Sequence, residues 1–104
     1  MRMLISAALL ALSAVSAQAE NRWVTVQNYT GFVMMEFYAS NRDQTNWGRD
    51  WFGMDVLMSG DEIAFDLDDG SGYCIWDLKA VFDDGDEVIT NDFNVCEEAY
   101  WTIN

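Results

Sequence analysis

The sequence predicts a small all-β domain: an antiparallel, Ig-like β-sandwich of six or seven strands with one disulfide. Its apolar segments are short, rich in β-branched and aromatic residues, and separated by clusters of glycine, aspartate and asparagine, which is the spacing of a sandwich or a small barrel. No segment of useful length repeats its apolar residues with the period of a helix. Two cysteines, Cys74 and Cys96, are available to stabilise the marginal core of so short a chain.

The N-terminus has the pattern of a cleaved signal peptide. Arg2 provides the positive start, residues 4–15 form an uncharged apolar run, and Ala17-Gln18-Ala19 matches the small-x-small cleavage pattern. We expect cleavage after Ala19, so that residues 1–19 are removed and residues 20–104 form a single β-sandwich domain in the periplasm or outside the cell. Because no other stretch is comparably apolar, we expect no membrane span in the mature chain.

Seven segments of the mature chain have the composition of strands, each short and bounded by turn-forming residues. In chain order they are residues 23–28, 32–40, 55–58, 62–67, 73–82, 87–93 and 100–103. The clearest alternation is in 62–67, where Ile63, Phe65 and Leu67 share one face. In 73–82 one apolar face should be turned to the core, and its residues are Cys74, Trp76, Leu78, Ala80 and Phe82.

Asp84-Gly85 predicts a two-residue hairpin turn between the segments 73–82 and 87–93. This residue pair suits a type I′ turn, in which both central residues have positive φ. Asp83 would then lie opposite Asp86.

The hairpin register determines how the two cysteines meet. It places Cys74 opposite Val95, one residue short of Cys96, and a single β-bulge at Asn91-Asp92 would bring the two thiols together. An oxidising compartment favours a disulfide between them. A redox role is disfavoured because the chain has no C-x-x-C motif, and a zinc site because it has no histidine.

The mature segment is strongly acidic. Residues 20–104 hold 18 acidic side chains against four basic ones, a net charge of −14, and the basic residues are Arg22, Arg42, Arg49 and Lys79. This charge excludes nucleic acid as a partner. The favoured interpretation is solubility, and the surface would also attract a basic protein or divalent cations. We expect a monomer that carries no cofactor.

The residue types give little support to catalysis. Without histidine, and with both cysteines in a disulfide, triads of the Ser-His-Asp or Cys-His kind are impossible. Paired carboxylates need a cleft that so small a domain rarely has. We therefore expect no catalytic residues and no enzyme activity.

The alternative interpretation of the acidic turns is that they form a calcium site. Asp61, Glu62, Asp84 and Asp86 would lie at one end of the sandwich if the strands beside them are neighbours. Neither turn matches the D-x-[DN]-x-[DN]-G spacing of a calcium-binding loop. Solvated turns are the favoured interpretation, so no metal site is expected.

The segment 41–54 is the best candidate for a partner-binding loop. It has no obvious strand pattern, yet it contains Trp47, Arg49 and Trp51, residue types that are common at binding hot spots. Such a loop either covers an open edge of the sandwich or displays its aromatic residues to a partner. The covering role is favoured because exposed aromatic surface promotes aggregation.

Short motifs follow one another along the mature chain in a definite order: Asn28-Tyr29-Thr30-Gly31, Phe37-Tyr38-Ala39-Ser40, Trp47-Gly48-Arg49-Asp50, Cys74-Ile75-Trp76-Asp77, Val81-Phe82-Asp83-Asp84-Gly85 and Asn94-Val95-Cys96. With the signal peptide, this order of an N-x-T-G turn, a W-G-x-D loop, a C-x-x-D strand, an F-D-D-G hairpin and a closing cysteine resembles a family of small secreted bacterial proteins of unknown function. The resemblance implies a disulfide-bearing β-sandwich and supplies no catalytic residues.

The sequence thus predicts non-catalytic binding or support of the cell envelope. An acidic inhibitor of a cationic extracellular enzyme, such as a lysozyme, fits the charge and size, although no inhibitory loop is recognisable. A calcium-binding module is the second alternative.

Overall fold

A computed structural model of the chain describes residues 21–104, so the predicted signal peptide and its cleavage site lie outside the described residues. Two three-stranded sheets form an all-β sandwich with one disulfide, which confirms the predicted fold class. The strands are β1 (Trp23–Asn28), β2 (Met34–Asn41), β3 (Glu62–Asp66), β4 (Ile75–Phe82), β5 (Glu87–Asn94) and β6 (Tyr100–Ile103). Their order is β3-β1-β6 in one sheet and β2-β4-β5 in the other. Residues 21–104 include no helix of the length and apolar character that a membrane span requires.

The core lies between the facing sides of the two sheets. Burial alternates along β4 as predicted, with the even-numbered residues of the strand buried and the odd-numbered ones only partly so. Phe37 of β2 is fully buried at the centre of the core. Its ring centre lies 5.2 Å from that of Phe65 and 5.8 Å from that of Trp101, both on the opposite sheet. Aromatic contacts of this length stabilise the packing of one sheet on the other.

The segment 55–58 is not a strand, which corrects the prediction for that segment. It makes a single bridge, in which Leu57 and Met34 exchange two backbone hydrogen bonds of 2.9 Å. Only Leu57 of this segment is buried, while Val56 and Met58 are 43% and 53% exposed. The segment therefore contributes one inward residue from a chain that runs along the edge of β2.

One pair of strands departs from the expected antiparallel arrangement. β1 is antiparallel to β3 but parallel to β6. The chain crosses from β5 in one sheet to β6 in the other through residues 95–99, where the N–H of Thr25 donates to the carbonyl oxygen of Ala99 at 2.8 Å. This crossing makes β1 the central strand of its sheet and leaves β3 at the edge, where Ile63 is 36% exposed rather than fully inward.

The β4–β5 turn has three residues, so the predicted two-residue type I′ turn is wrong. The N–H of Phe82 donates to the carbonyl oxygen of Asp86 at 2.9 Å, and the N–H of Gly85 donates to that of Phe82 at 3.0 Å. Gly85 has a φ of +89°, whereas Asp84 does not have a positive φ. This is the three-residue hairpin in which a type I turn is followed by one left-handed residue, and only that residue needs to be glycine.

The predicted β-bulge at Asn91-Asp92 is present. The register of β5 against β4 shifts between Trp76 and Leu78. Asp92 is the only non-glycine residue in the described part of the chain with a positive φ, 57°. Its N–H donates to Asp77 Oδ1 at 2.9 Å, which holds the bulge against β4.

The disulfide joins Cys74 to Cys96, as predicted, and no cysteine in the described residues is free. The hairpin turn is one residue longer than expected, so even with the bulge Val95, and not Cys96, lies opposite Cys74. The N–H of Val95 donates to the carbonyl oxygen of Cys74 at 2.9 Å. The chain then turns after Asn94, whose Oδ1 accepts a 3.0 Å hydrogen bond from the N–H of Cys96. This turn brings the Cα atoms of the two cysteines to 5.3 Å.

Asn28 ties together the end of β1, the following turn and the chain beside β2. It is fully buried. Its Nδ2 donates to the carbonyl oxygens of Phe32 at 2.8 Å and Leu57 at 2.9 Å, and its Oδ1 accepts from the N–H and Oγ1 of Thr30. All the hydrogen-bonding capacity of the amide is thus used, as a buried polar group requires.

Candidate functional site: a tryptophan-lined recess beside β2

The connection from β2 to β3 returns along the free edge of β2. The N–H of Trp51 donates to the carbonyl oxygen of Phe37 at 2.8 Å. Asp50 Oδ1 accepts from the N–H groups of Phe37 at 2.9 Å and Phe52 at 3.0 Å. These bonds satisfy backbone groups that an edge strand would otherwise expose, and they fix the position of the segment 41–54.

Part of this segment belongs to the hydrophobic core. Phe52 is 6% exposed, and Trp51 packs against the core from its margin. The Trp51 ring meets the Phe65 ring edge to face, with ring centres 6.0 Å apart. The segment therefore covers the opening between β2 and β3, and Trp51 is one of the residues that close it.

The three residues singled out in the sequence, Trp47, Arg49 and Trp51, lie together in the wall of a recess of about 350 Å³. We call this the tryptophan recess, and its full lining is Ala39, Gln44, Trp47, Gly48, Arg49, Trp51, Asp69 and Trp76. Asp69 and Trp76 were not expected there, since the turn after β3 and the start of β4 meet the loop only through tertiary packing. The sequence places Trp76 on the core face of its strand, and the recess is an opening onto that face.

Two cations of this acidic chain lie over aromatic rings beside the recess. Arg49 Cζ is 4.1 Å from the centre of the Trp51 ring. Lys79 Nζ is 5.1 Å from the centre of the Trp47 ring and 5.0 Å from that of Tyr38. Such cation–π contacts are attractive, so the Trp47 ring and the Trp51 ring each have a positively charged group over one face.

Tyr38 is the second aromatic residue whose ring lies beside Lys79. It lies directly across from Lys79 in the β2–β4 pair. Its hydroxyl donates to Glu36 Oε1 at 2.5 Å. This hydrogen bond, with burial and the charge of Glu36 adding to it, raises the pKa of Tyr38 to about 12.

The polar part of the recess is built around Asp69. Burial alone would raise the pKa of its carboxyl, but hydrogen bonds from Ser71 and Asn41 outweigh burial and lower it. Asp69 Oδ2 accepts from Asn41 Nδ2 at 3.0 Å, and Oδ1 accepts from the N–H of Ser71 at 2.9 Å. Gln44 Oε1 in turn accepts from the N–H of Asn41 at 2.7 Å. The recess therefore presents an ionised carboxylate and oriented amides next to aromatic rings.

The acidic residues considered for calcium are divided between the two sheets. Asp61 and Glu62 precede and begin β3, which pairs with β1 and not with β4 as the calcium grouping required. Asp84 lies in the β4–β5 turn and Asp86 directly after it, and both line a separate depression of about 230 Å³. Within residues 21–104 no three acidic or cysteine side chains are grouped so that they could hold a metal ion.

Comparisons with known protein families, with curated proteins and with solved structures return no match.

Proposed function

We propose that this chain is an exported, non-catalytic binding domain whose ligand occupies the tryptophan recess. The observation that supports it is the convergence of Trp47, Arg49 and Trp51 on one concave surface with Asp69 and Trp76. Aromatic walls with a few oriented polar groups are the usual make-up of a ligand site. The loop is already hydrogen-bonded to β2, so binding would cost little conformational entropy.

The lining favours binding over catalysis. Asp69 is the one titratable carboxyl in the recess, and its hydrogen bonds keep it ionised at neutral pH. An ionised carboxylate whose lone pairs already accept three hydrogen bonds is a poor general base and cannot serve as a general acid. The chain contains no histidine that could take over either role.

Export is part of the proposal. The Cys74–Cys96 disulfide is compatible with a periplasmic or extracellular location, and the first 19 residues have the signal-peptide pattern. The net charge of −14 on residues 20–104 keeps such a domain soluble.

The test compares two tryptophan variants of the full chain, Trp47→Ala and Trp23→Ala. Trp23 is the matched control because it is 51% exposed on β1, in the other sheet, and does not line the recess. Each processed protein is immobilised and exposed to an envelope and culture-fluid extract of the producing cells. We expect the wild type and Trp23→Ala to retain the same component and Trp47→Ala to lose it.

Equal retention by wild type and Trp47→Ala would refute the proposal. Retention that disappears at about 1 M salt and does not depend on Trp47 would favour the acidic surface as the binding element. That second pattern is the one expected for an acidic inhibitor of a cationic enzyme.

A further inference from the structure

We infer that the ligand is a neutral saccharide chain that extends from the tryptophan recess into the depression next to it. This inference rests on the proposed function and names the class of ligand. It follows from the continuity of the two concavities, from the balance of charge in their walls, and from hydrogen-bonding groups that the protein itself leaves unused.

The adjoining concavity is larger and more polar. We call it the polar depression; it measures about 480 Å³, and its lining is Ser40, Asn41, Arg42, Gln44, Ile75, Asp77 and Asp92. Gln44 lines both concavities. Asn41, which bonds to Asp69 in the recess through its side chain, is itself part of the wall of the depression. Ala39 and Trp76 of the recess lie on the inward face of β2 and β4, whereas Ser40 and Asp77 of the depression lie on the outward face. One elongated ligand could therefore contact both only by passing around the free edge of β2, with Gln44 at the junction.

The charges in these walls are close to balanced, unlike those of the domain as a whole. The charged residues that line the recess are Arg49 and Asp69, and those that line the depression are Arg42, Asp77 and Asp92. Two of the four basic side chains of residues 20–104 thus line this surface. An anionic ligand would be repelled by a domain of charge −14. In the recess one guanidinium accompanies one carboxylate, so a cationic ligand finds no local excess of negative charge there. The recess therefore suits a neutral ligand best.

Hydrogen-bonding groups in the walls match a ligand whose groups both donate and accept. Gln44 Oε1 is occupied by the N–H of Asn41, which leaves Nε2 as the donor for a ligand. Ser40 is 8% exposed, and within residues 21–104 its Oγ donates only to the carbonyl oxygen of Asn41, at 3.5 Å, the outer limit for a hydrogen bond. A buried hydroxyl so weakly bonded calls for a further partner. Hydroxyl groups of a saccharide can supply it, since each both donates and accepts.

The aromatic residues of the recess would contact the apolar face of such a ligand. A pyranose ring has a face of C–H groups and a rim of hydroxyls, so it needs a flat apolar surface beside polar groups. Of the three tryptophans in the lining, Trp47 is the one that can offer this surface, because Trp76 is only 2% exposed and Arg49 lies over the Trp51 ring. Arg49 and Asp69 supply the polar groups beside it. Lys79 is not part of the lining, but its Nζ lies 5.1 Å from the centre of the Trp47 ring, so it adds a positive charge next to the recess.

The experiment measures binding of defined oligosaccharides to the processed full chain. The neutral probes are the hexasaccharides of β-1,4-linked N-acetylglucosamine, β-1,4-linked glucose and α-1,4-linked glucose. Hexalysine and hexagalacturonate are the charged comparators. Binding is followed by tryptophan fluorescence and by calorimetry at low salt and at about 1 M salt.

We expect at least one neutral hexasaccharide to bind saturably, with an affinity that salt changes by less than about twofold. Trp47→Ala should weaken it by about tenfold or more, and Trp23→Ala should leave it unchanged. Ser40→Ala should weaken binding of the hexasaccharide but not of the corresponding disaccharide, because only the longer chain reaches the polar depression.

Two outcomes would overturn the inference. One is that none of the neutral hexasaccharides binds at about 10 mM, a weakness beyond that of a specific site. The other is Trp47-dependent binding of a charged comparator in place of all neutral probes. If the recess instead retains a protein from the extract in a Trp47-dependent way, the proposed binding function stands and the saccharide inference fails.

Discussion

The main-chain N–H of Trp51 donates a 2.8 Å hydrogen bond to the carbonyl oxygen of Phe37, the residue whose ring lies at the centre of the core. The loop that forms the recess is thereby fixed to the most buried part of β2. Trp47, four residues earlier, is not among the core residues or those packed against the core. Stability and binding should therefore depend on different tryptophans of the same loop.

The two substitutions Trp51→Ala and Trp47→Ala should differ in their effect on stability. Trp51→Ala removes the contact with Phe65 and opens the core margin, so the free energy of unfolding should fall by about 2 to 4 kcal/mol. Trp47→Ala should cost about 1 kcal/mol or less, as changes outside the core usually do. Urea denaturation of both variants measures the difference. A loss of similar size in both would make Trp47 a structural residue too.

Asp50 should stabilise the fold through a single carboxylate oxygen, Oδ1, which accepts two hydrogen bonds. Its Oδ1 accepts from the N–H groups of Phe37 and Phe52, and Asp50→Ala leaves these buried donors without that partner, at a cost of about 1 to 3 kcal/mol. Asp50→Asn keeps an acceptor oxygen and should recover most of the loss. If Asn and Ala destabilise equally in chemical denaturation, charge and not the acceptor geometry is what matters at this position.

The disulfide should contribute measurably to the stability of so small a domain. The cysteines are 22 residues apart, and closing a loop of that size stabilises by about 3 kcal/mol in the chain-entropy model. The double variant Cys74→Ser/Cys96→Ser should lose about that much. Thiol titration of the wild type in denaturant, before any reductant, should find no free thiol. Two free thiols would show that the bond does not form in the purified protein.

Stability should decline at alkaline pH because of Tyr38. The pKa of Tyr38 is raised from 10.0 to about 12 in the folded protein, so the folded chain keeps the phenol proton more tightly than the unfolded chain does. This stabilisation is fully present below pH 10 and is lost as the pH rises through the folded pKa near 12. Thermal unfolding at several alkaline pH values measures it. Tyr38→Phe is the control, and a decline of equal size in that variant would assign the effect to other groups.

The strands were accessible from the sequence because their apolar residues alternate, and β4 shows this most clearly. The bulge at Asn91-Asp92 was predicted from the need to align the cysteines, and it is present. With the longer hairpin turn, however, the cysteines meet only through the further turn after Asn94. The hairpin turn was misjudged because Asp-Gly suits a two-residue and a three-residue turn alike, and the choice depends on the φ of Asp84 alone. The segment 55–58 was misjudged because Leu57 has the burial of a strand residue without a second inward neighbour.

The site was predictable only where its residues are close in sequence. Trp47, Arg49 and Trp51 lie in one loop with hot-spot composition, so they could be named together. Asp69, from the turn after β3, lines the tryptophan recess, and Ser40, near the end of β2, lines the polar depression, and both positions depend on how the sheets pack. No local sequence pattern connects residues that far apart in the chain. The balance of charged residues in the walls of the two concavities likewise depends on the folded structure.

The burial of Asn28 has a consequence for how the protein can be produced. Asn28-Tyr29-Thr30 matches the N-x-[ST] acceptor sequence for N-linked glycosylation. The acceptor atom would be Nδ2, and in the fold that nitrogen already donates to the carbonyl oxygens of Phe32 and Leu57 inside the domain. Modification there and the native turn exclude each other, because glycosylation replaces one of the two hydrogens on Nδ2, so only one of the two bonds could remain, and the fully buried side chain leaves no room for a glycan. A eukaryotic secretory host that modifies the nascent chain at Asn28 would yield misfolded material, whereas a host without this pathway would not.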